Sequence, residues 1–427
     1  MSTTYACLEL GGIDQFRPRR VDVTVNTDGD AGRARLGEPR LTEPPRWLLL
    51  PGLSDAHVHV AALDEHCGRD FLSCGVCHVR DVGGPLGNTR AWAEANALPE
   101  VTHYGWPLDS DPPPPHACLL GAVAALSPEG VVNHVRRLRR FGASGIKLYY
   151  GFPPAWVGLA VRAAHDHGLS VAYHIGSGSH PRFRVISVHD ALAAGVDSIE
   201  HIHSLTGDVI ADDVIDGLAA DDLAAPGSVF FRTFRAWAAV DLDGPHPRAL
   251  IERFVASRAI FVPTLSPFAA MIGEVPAIAT GVVSLFRDHA GAADVAVARR
   301  GFGHMLEFVR RFVAAGGRLA VGTDTTSSTG VSPQHGVRSE IGLLLRAGIA
   351  PDQVLAAATA GAQRAMGIAP AAATECRVLV ACGDLTAALA RLEVQHVFAG
   401  ERVIYTATSE EPHTSRAGAA IAAGGAS

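Results

Sequence analysis

The chain is predicted to be an α/β protein, a (β/α)8 TIM barrel with a small β-rich domain made from both chain ends. Two observations carry this expectation. Apolar runs of strand length alternate with Ala- and Leu-rich helical patterns over roughly 320 residues. Outside that region the helical periodicity stops, and short β-like runs are separated by Gly, Asp and Pro. With 427 residues there is length for one large domain with a sizeable core and a second, smaller one.

The elements follow in order. Residues 1–50 contain β-like runs such as Val21–Val25 and no clear helix, and form the first part of the small domain. Leu48–Leu50 is an apolar run broken by Pro51-Gly52, and it leads into a first barrel strand ending at His57-Val58-His59. Further strands are predicted at 76–81, 101–106, 145–150, 169–174, 198–201, 260–264 and 318–324, which makes eight. Helical patterns fall between several of them, as at Pro128–Phe141, Pro154–His167 and Gly301–Ala315. The runs Val337–Ala347 and Pro351–Met366 close a barrel domain spanning 51–370. Residues 371–406 return to β-like segments, Arg377–Ala381 and Val394–Tyr405, that complete the small domain. The last stretch, 407–427, is rich in Gly, Ala, Ser, Thr and Glu and reads as a disordered tail.

Composition excludes several functions. Charged residues make up 19% and the net charge is −7, so no nucleic-acid partner is expected. There is no basic start followed by an apolar core and no run of about 18 apolar residues, which predicts no membrane partner and a cytoplasmic location. Seven cysteines, an odd number in a long chain, argue for free thiols. Cys74-Gly75-Val76-Cys77-His78 matches a haem-attachment pattern but overlaps the second strand, where packing is the expected role. The arginines of 136–140 read as the solvated end of a helix. Whether the chain forms a homo-oligomer is left open.

The polar residues on this frame carry the chemistry. In extended chain, residues two apart point to the same side, so His57 and His59 can grip one ion. Lys147 lies on strand four, His174 and His201 end strands five and six, and Asp324 ends strand eight. All fall near the carboxyl ends of their strands, the face on which barrel enzymes build active sites.

As a set, the stretches PGLSDAHVH (51–59), GVCHVRDVGG (75–84), GIKLYYG (145–151), AYHIG (172–176), AGVDSIEH (194–201), FVPTLS (261–266) and AVGTDT (320–325) resemble the amidohydrolase superfamily. So does LLLRAGIAPDQVLAAATAGAQRAMG (343–367). Within that superfamily the chain is most similar to the imidazolonepropionase-related branch that includes Xaa-Pro dipeptidases. The resemblance implies two divalent cations, zinc by preference. His57, His59 and Asp324 would hold one and His174 and His201 the other, with Lys147 bridging them as a carbamate. A metal-bridged hydroxide would attack the substrate carbonyl, and Asp324 would act as general acid and base, passing the proton to the leaving nitrogen.

The expected activity is hydrolysis of an amide C–N bond in a small peptide or peptide-like substrate. A tailoring hydrolase of natural-product biosynthesis, removing a follower segment from a modified peptide as in bottromycin-type pathways, is the alternative. A one-metal deaminase and a catalytically silent binding relative also stay open. Tyr149, His203 and His335 are candidates for substrate contact, and Arg80, Arg232 and Arg235 for holding a substrate carboxylate. A structural hydrogen bond is the other reading of Arg80. The proline-rich loop Asp109–Pro115 and the long segment between His201 and Phe261 depart from the family, and the latter is expected to form a lid or a wall.

Overall fold

A computed structural model describes residues 2–11, 17–27, 32–96, 98–113, 120–177, 186–218, 227–278, 280–326, 328–368, 376–381 and 384–407. The tail expected at 407–427 lies, except for Ala407, outside the described residues, as do positions 114–115 of the proline-rich loop.

The chain begins with β1 (Ser2–Gly11), β2 (Arg17–Asn26), β3 (Arg33–Gly37) and β4 (Trp47–Pro51). Ten parallel strands follow. They are β5 (Leu53–Val58), β6 (Val76–Asp81), β7 (Glu100–His103), β8 (Leu108–Asp109) and β9 (Val123–Ala124). Then come β10 (Gly145–Leu148), β11 (Ser170–Tyr173), β12 (Ser198–Glu200), β13 (Ile260–Val262) and β14 (Arg318–Leu319). The chain ends with β15 (Cys376–Ala381), β16 (Val394–Ala399) and β17 (Arg402–Thr406).

The first four strands and the last three close on one another as a seven-stranded barrel, in the order β1-β2-β3-β17-β16-β15-β4. Closure leaves no sheet edge for another chain to pair with. Period-two burial fills its interior, with Val21, Val23 and Val25 packed against Leu49, Leu379 and Phe398. Arg402–Thr406 turns back antiparallel on Val394–Ala399, so the single β-like stretch at 394–405 is a hairpin. Between β15 and β16 lies a helix, Leu385–Arg391, whose N-cap Asp384 accepts the Ala387 N–H at 2.9 Å.

The parallel strands form two sheets, β5-β6-β7 and β14-β13-β12-β11-β10-β8-β9. Backbone bonds join the sheets on both sides: Ser144 N–H donates to His103 O, and Ala56 N–H donates to Val321 O at 2.8 Å. β14 is shorter than the expected 318–324 strand because, from Val321 on, the chain bonds instead to β5 and to the last helical stretch. That stretch, Pro351–Met366, widens into a π turn at Ala357–Gly361, and the Ala357 carbonyl accepts the Val321 N–H at 3.0 Å.

Local chemistry explains the connecting helices. Pro128–Arg140 starts at Ser127, whose hydroxyl caps Gly130 N–H at 3.0 Å, with Pro128 and Glu129 in the first turn and arginines in the last. It buries Val131, His134, Val135 and Leu138, the helical stripe. The segment between His201 and Phe261 contains Ser228–Ala239, which packs along the long helix Ala292–Ala314. Trp237 is fully buried there and donates its indole N–H to Thr206 at 3.1 Å. That helix is a wall of the core.

Candidate metal centre

β5 is buried along its whole length, so Asp55 and His57 occupy positions where apolar side chains would be cheaper. Partners offset the cost. Asp55 Oδ1 accepts the backbone N–H groups of His57 and Thr323, both at 3.1 Å, and its Oδ2 accepts the Thr323 hydroxyl at 2.6 Å. This clamp fastens the chain after β14 to β5, and Asp324 N–H then donates to His57 O at 2.8 Å. Glycine is needed at 322 for so close an approach, since a Cβ there would stand 2.8 Å from His57 Cβ and 2.4 Å from Val262 Cγ1.

Each imidazole is oriented from behind. Nδ1 of His59 lies 2.7 Å from the Gly83 carbonyl, and Nδ1 of His57 lies 2.5 Å from Oε2 of Glu200. Nδ1 of His201 lies 2.8 Å from the Thr264 hydroxyl. A proton on each Nδ1 leaves the Nε2 lone pair free to bind a cation, which is how metal-binding histidines are commonly held. Nε2 of His57 and of His59 stand 3.5 and 3.4 Å from Oδ1 of Asp324. Ligands about 2.1 Å from a tetrahedral cation are separated by about 3.4 Å, so these spacings fit one divalent ion. The ligand atoms of all three residues lie within 4.8 Å of one another.

His201 links this trio to His174, with ring centroids 4.5 Å from His57 and 4.2 Å from His174. His57 Nε2 and the Lys147 amine are buried and have no hydrogen-bond partner among the described residues. Such a donor set, lined up with nothing to satisfy it, fits a cation site.

Electrostatics favour the neutral and anionic forms that bind metal. Burial lowers His57 to about 4, outweighing the Glu200 carboxylate, and holds His201 well below the ordinary imidazole range. Burial also lowers Lys147, to about 8. For Asp324 burial alone would raise the carboxyl, but His59, His57 and Lys147 outweigh it and hold it below the usual carboxylate range. Asp324 keeps 17% side-chain exposure beside a fully buried His57, so the centre opens on the Asp324 side.

The structure brings His57, His59, Lys147, His174, His201 and Asp324 into one neighbourhood. Tyr149 is there too, its ring 4.6 Å from His174, and His203 Nε2 is 2.9 Å from His174 Nε2. His335 is half-buried just before the helix Gly336–Arg346, with Arg338 and Asp70 as its charged neighbours. No contact among the described residues joins it to the histidines. Arg80 is enclosed: its guanidinium donates to Ala56 O, Ser198, Ala365 O and Glu200, the last at 2.7 Å. It is therefore unavailable for a substrate carboxylate, and the structural reading of Arg80 is the one observed. Arg235 is paired with Asp294 at 3.2 Å.

Sequence reasoning missed Glu200, Asp55 and Thr264. A signal existed for Glu200, since Ser198 and Glu200 share one side of β12 and a carboxylate there demands a cation. No sequence signal marks the strain. Among the described residues the non-glycine positions with positive φ are His201, Arg258, Thr264, Asp324 and Leu392, and three of these belong to the centre. Backbone held in the left-handed region costs of order 1–3 kcal/mol and concentrates at functional sites.

No protein family and no curated protein matches the chain. Solved structures do. Bottromycin amidohydrolase superposes with a TM-score of 0.65 at 22% identity, over 94% of this chain and 86% of that one. A protein assigned as a prolidase from Bifidobacterium longum gives 0.62 at 22% identity, over 94% and 95%. A Xaa-Pro dipeptidase with bound methionine gives 0.61 at 18%, over 95% and 100%. The likeness at these identities is one of fold, and it makes the chain a structural relative of prolidases and amidohydrolases.

Proposed function

We propose that this chain is a metal-dependent hydrolase that cleaves an amide C–N bond in a peptide or peptide-like substrate. The observation that carries the reading is the convergence of His57 Nε2, His59 Nε2 and Asp324 Oδ1 at ligand spacing near a buried Lys147 amine that has no hydrogen-bond partner among the described residues. The fold likeness to prolidases and to bottromycin amidohydrolase supports it.

In this reading the parallel strands of 51–370 would close as a (β/α)8 barrel and present the strand ends as one face, and 1–50 with 371–406 would form a separate small domain. His57, His59 and Asp324 would hold one cation, and His174 and His201 would take part in a second. Lys147, brought to about 8 by burial, has a neutral fraction near neutrality that can attack CO2. The amine nitrogen would bond to carbon and release one proton, leaving an anionic carbamate whose oxygens would serve as metal ligands. When bound, the cations supply an acidified water and polarise the substrate carbonyl. Asp324 remains ionised, so its carboxylate can take the proton of the attacking water and return it to the leaving nitrogen. An amine anion is a poor leaving group, which is why that donor is needed.

The test is metal-reconstituted protein on a panel of dipeptides and peptide amides, with released amine read by mass spectrometry. Hydrolysis abolished by Asp324→Asn supports the proposal. Turnover confined to exocyclic amines of heterocycles would replace it with a deaminase, and cation binding with no turnover of any substrate would leave a binding relative. A second reading, tailoring of a modified peptide, is favoured by the TM-score of 0.65 with bottromycin amidohydrolase. Cleavage of cyclised or heterocycle-bearing peptide amides in preference to dipeptides would select it.

A further inference from the structure

Asp81 closes β6, the strand beside β5, and is fully buried. Its Oδ2 accepts the Thr89 hydroxyl at 2.6 Å, and its Oδ1 accepts the Gly83 N–H at 3.2 Å. Among the described residues no arginine or lysine pairs with it, and the titratable groups whose charge it feels are His59 and His103. A carboxylate buried on neutral donors is costly, so its presence here points to a task beyond packing.

The task is visible at Gly83. This residue bonds outward with both of its backbone groups, the N–H to Asp81 and the carbonyl to Nδ1 of His59 at 2.7 Å. On either side the chain is tied elsewhere, Val82 N–H to Val58 O at 3.1 Å and Gly84 N–H to Gly105 O at 3.2 Å. Asp81 is thus the group that fixes Gly83 itself. Only glycine fits at this position, since its φ is 155° and a Cβ would stand 2.7 Å from Pro107 Cγ. His57 meets its carboxylate directly, in Glu200, whereas His59 meets one through an intervening residue.

We infer that Asp81 is the positioning residue for His59: it anchors Gly83, whose carbonyl keeps the ring proton on Nδ1 and turns Nε2 toward Asp324. Nε2 of His59 stands 3.4 Å from Oδ1 of Asp324, a ligand spacing that rotation of the ring would spoil. The inference rests on the proposed metal centre and extends it to a residue that touches neither cation nor substrate.

The test compares wild type, Asp81→Asn and Asp81→Leu as full-length proteins that match in metal-free circular dichroism. Asn keeps an acceptor for the Gly83 N–H but loses the charge that strengthens the bond, and Leu removes the acceptor at similar size. Nitrogen-15 NMR of histidine-labelled, metal-free protein, with the His59 signals assigned by His59→Gln, reads the tautomer. Wild type should hold the Nδ1–H form and Asp81→Leu a mixture. Chelator competition then reads Co2+ affinity, which should fall by about tenfold to a hundredfold in Asp81→Leu and by less in Asp81→Asn, with altered visible cobalt bands. If wild type binds no Co2+, the metal centre itself is wrong, and the tautomer comparison still decides whether Asp81 holds the ring. Tautomer and affinity unchanged in both variants, even with a lower melting temperature, would overturn the assignment and leave Asp81 a packing residue. Should Asp81→Leu not fold, Asp81→Asn decides, and wild-type affinity in it counts against the inference.

Discussion

His57 and Glu200 are both fully buried, and Nδ1 of the one stands 2.5 Å from Oε2 of the other. The carboxylate is anchored behind by Arg80 at 2.7 Å and by the Ser198 hydroxyl at 2.6 Å. Burial alone would raise the Glu200 carboxyl, but Arg80, Lys147 and His57 outweigh it and keep it ionised. Glu200 therefore fixes the His57 tautomer with Nε2 facing Asp324.

Glu200→Gln removes that charge while keeping the side chain's shape. It also leaves the Arg80 guanidinium buried without its counter-charge. The expected result is cation affinity lower by about tenfold to a hundredfold and stability lower by about 3–5 kcal/mol. Denaturant unfolding and chelator competition measure the two effects separately. Wild-type affinity in the variant would show that His57 does not depend on Glu200.

Asp324→Asn keeps an oxygen donor but cannot carry a proton between water and leaving group. Amide turnover should fall by about a thousandfold, with metal content falling by much less. Single-turnover kinetics at saturating substrate check this. A variant that hydrolyses at the wild-type rate removes Asp324 from the proton path.

Lys147→Met is nearly isosteric and removes the amine, so the fold should persist with unchanged or slightly raised stability, since the buried amine has no hydrogen-bond partner among the described residues. Elemental analysis should show metal content dropping from about two ions per chain toward about one. Returning two ions on addition of a short carboxylic acid would identify the missing group as a bridging carboxylate.

Acid should destabilise the small barrel through His396. This residue is buried, with the Tyr5 hydroxyl 3.1 Å from Nε2 and the Thr406 hydroxyl 3.0 Å from Nδ1, and burial lowers it to about 4. Below the ordinary value of 6.5 the unfolded chain takes up a proton that the folded chain refuses. Stability from this residue is thus intact above about pH 6.5 and is lost as pH falls toward about 4. Thermal melts across that window should fall less steeply for His396→Gln than for wild type. Parallel curves would show that His396 does not titrate there.

Much of this molecule was legible in one dimension. The apolar runs, helix caps and breakers are local chemistry, and local chemistry located the strands ending near His57, Lys147, His174 and His201, whereas the strand expected to reach Asp324 stops at Leu319. The order of those residues along the strands was enough to name a common face. The helix Leu385–Arg391 escaped because it is short and sits between two β-like runs, and the 394–405 run concealed a hairpin because Gly400 alone marks its turn.

What the amino-acid order determined by itself was which residues could bind metal, since side-chain type and strand position are properties of short segments. Tertiary structure decided which of them meet and how each is held. Glu200 finds His57 across 143 positions of sequence, Asp55 finds Thr323 across 268, and His203 meets His174 across 29. Pairings of that kind have no local period. They exist because burying a charge or an imidazole is costly, and only the closed fold supplies the partner that makes it affordable.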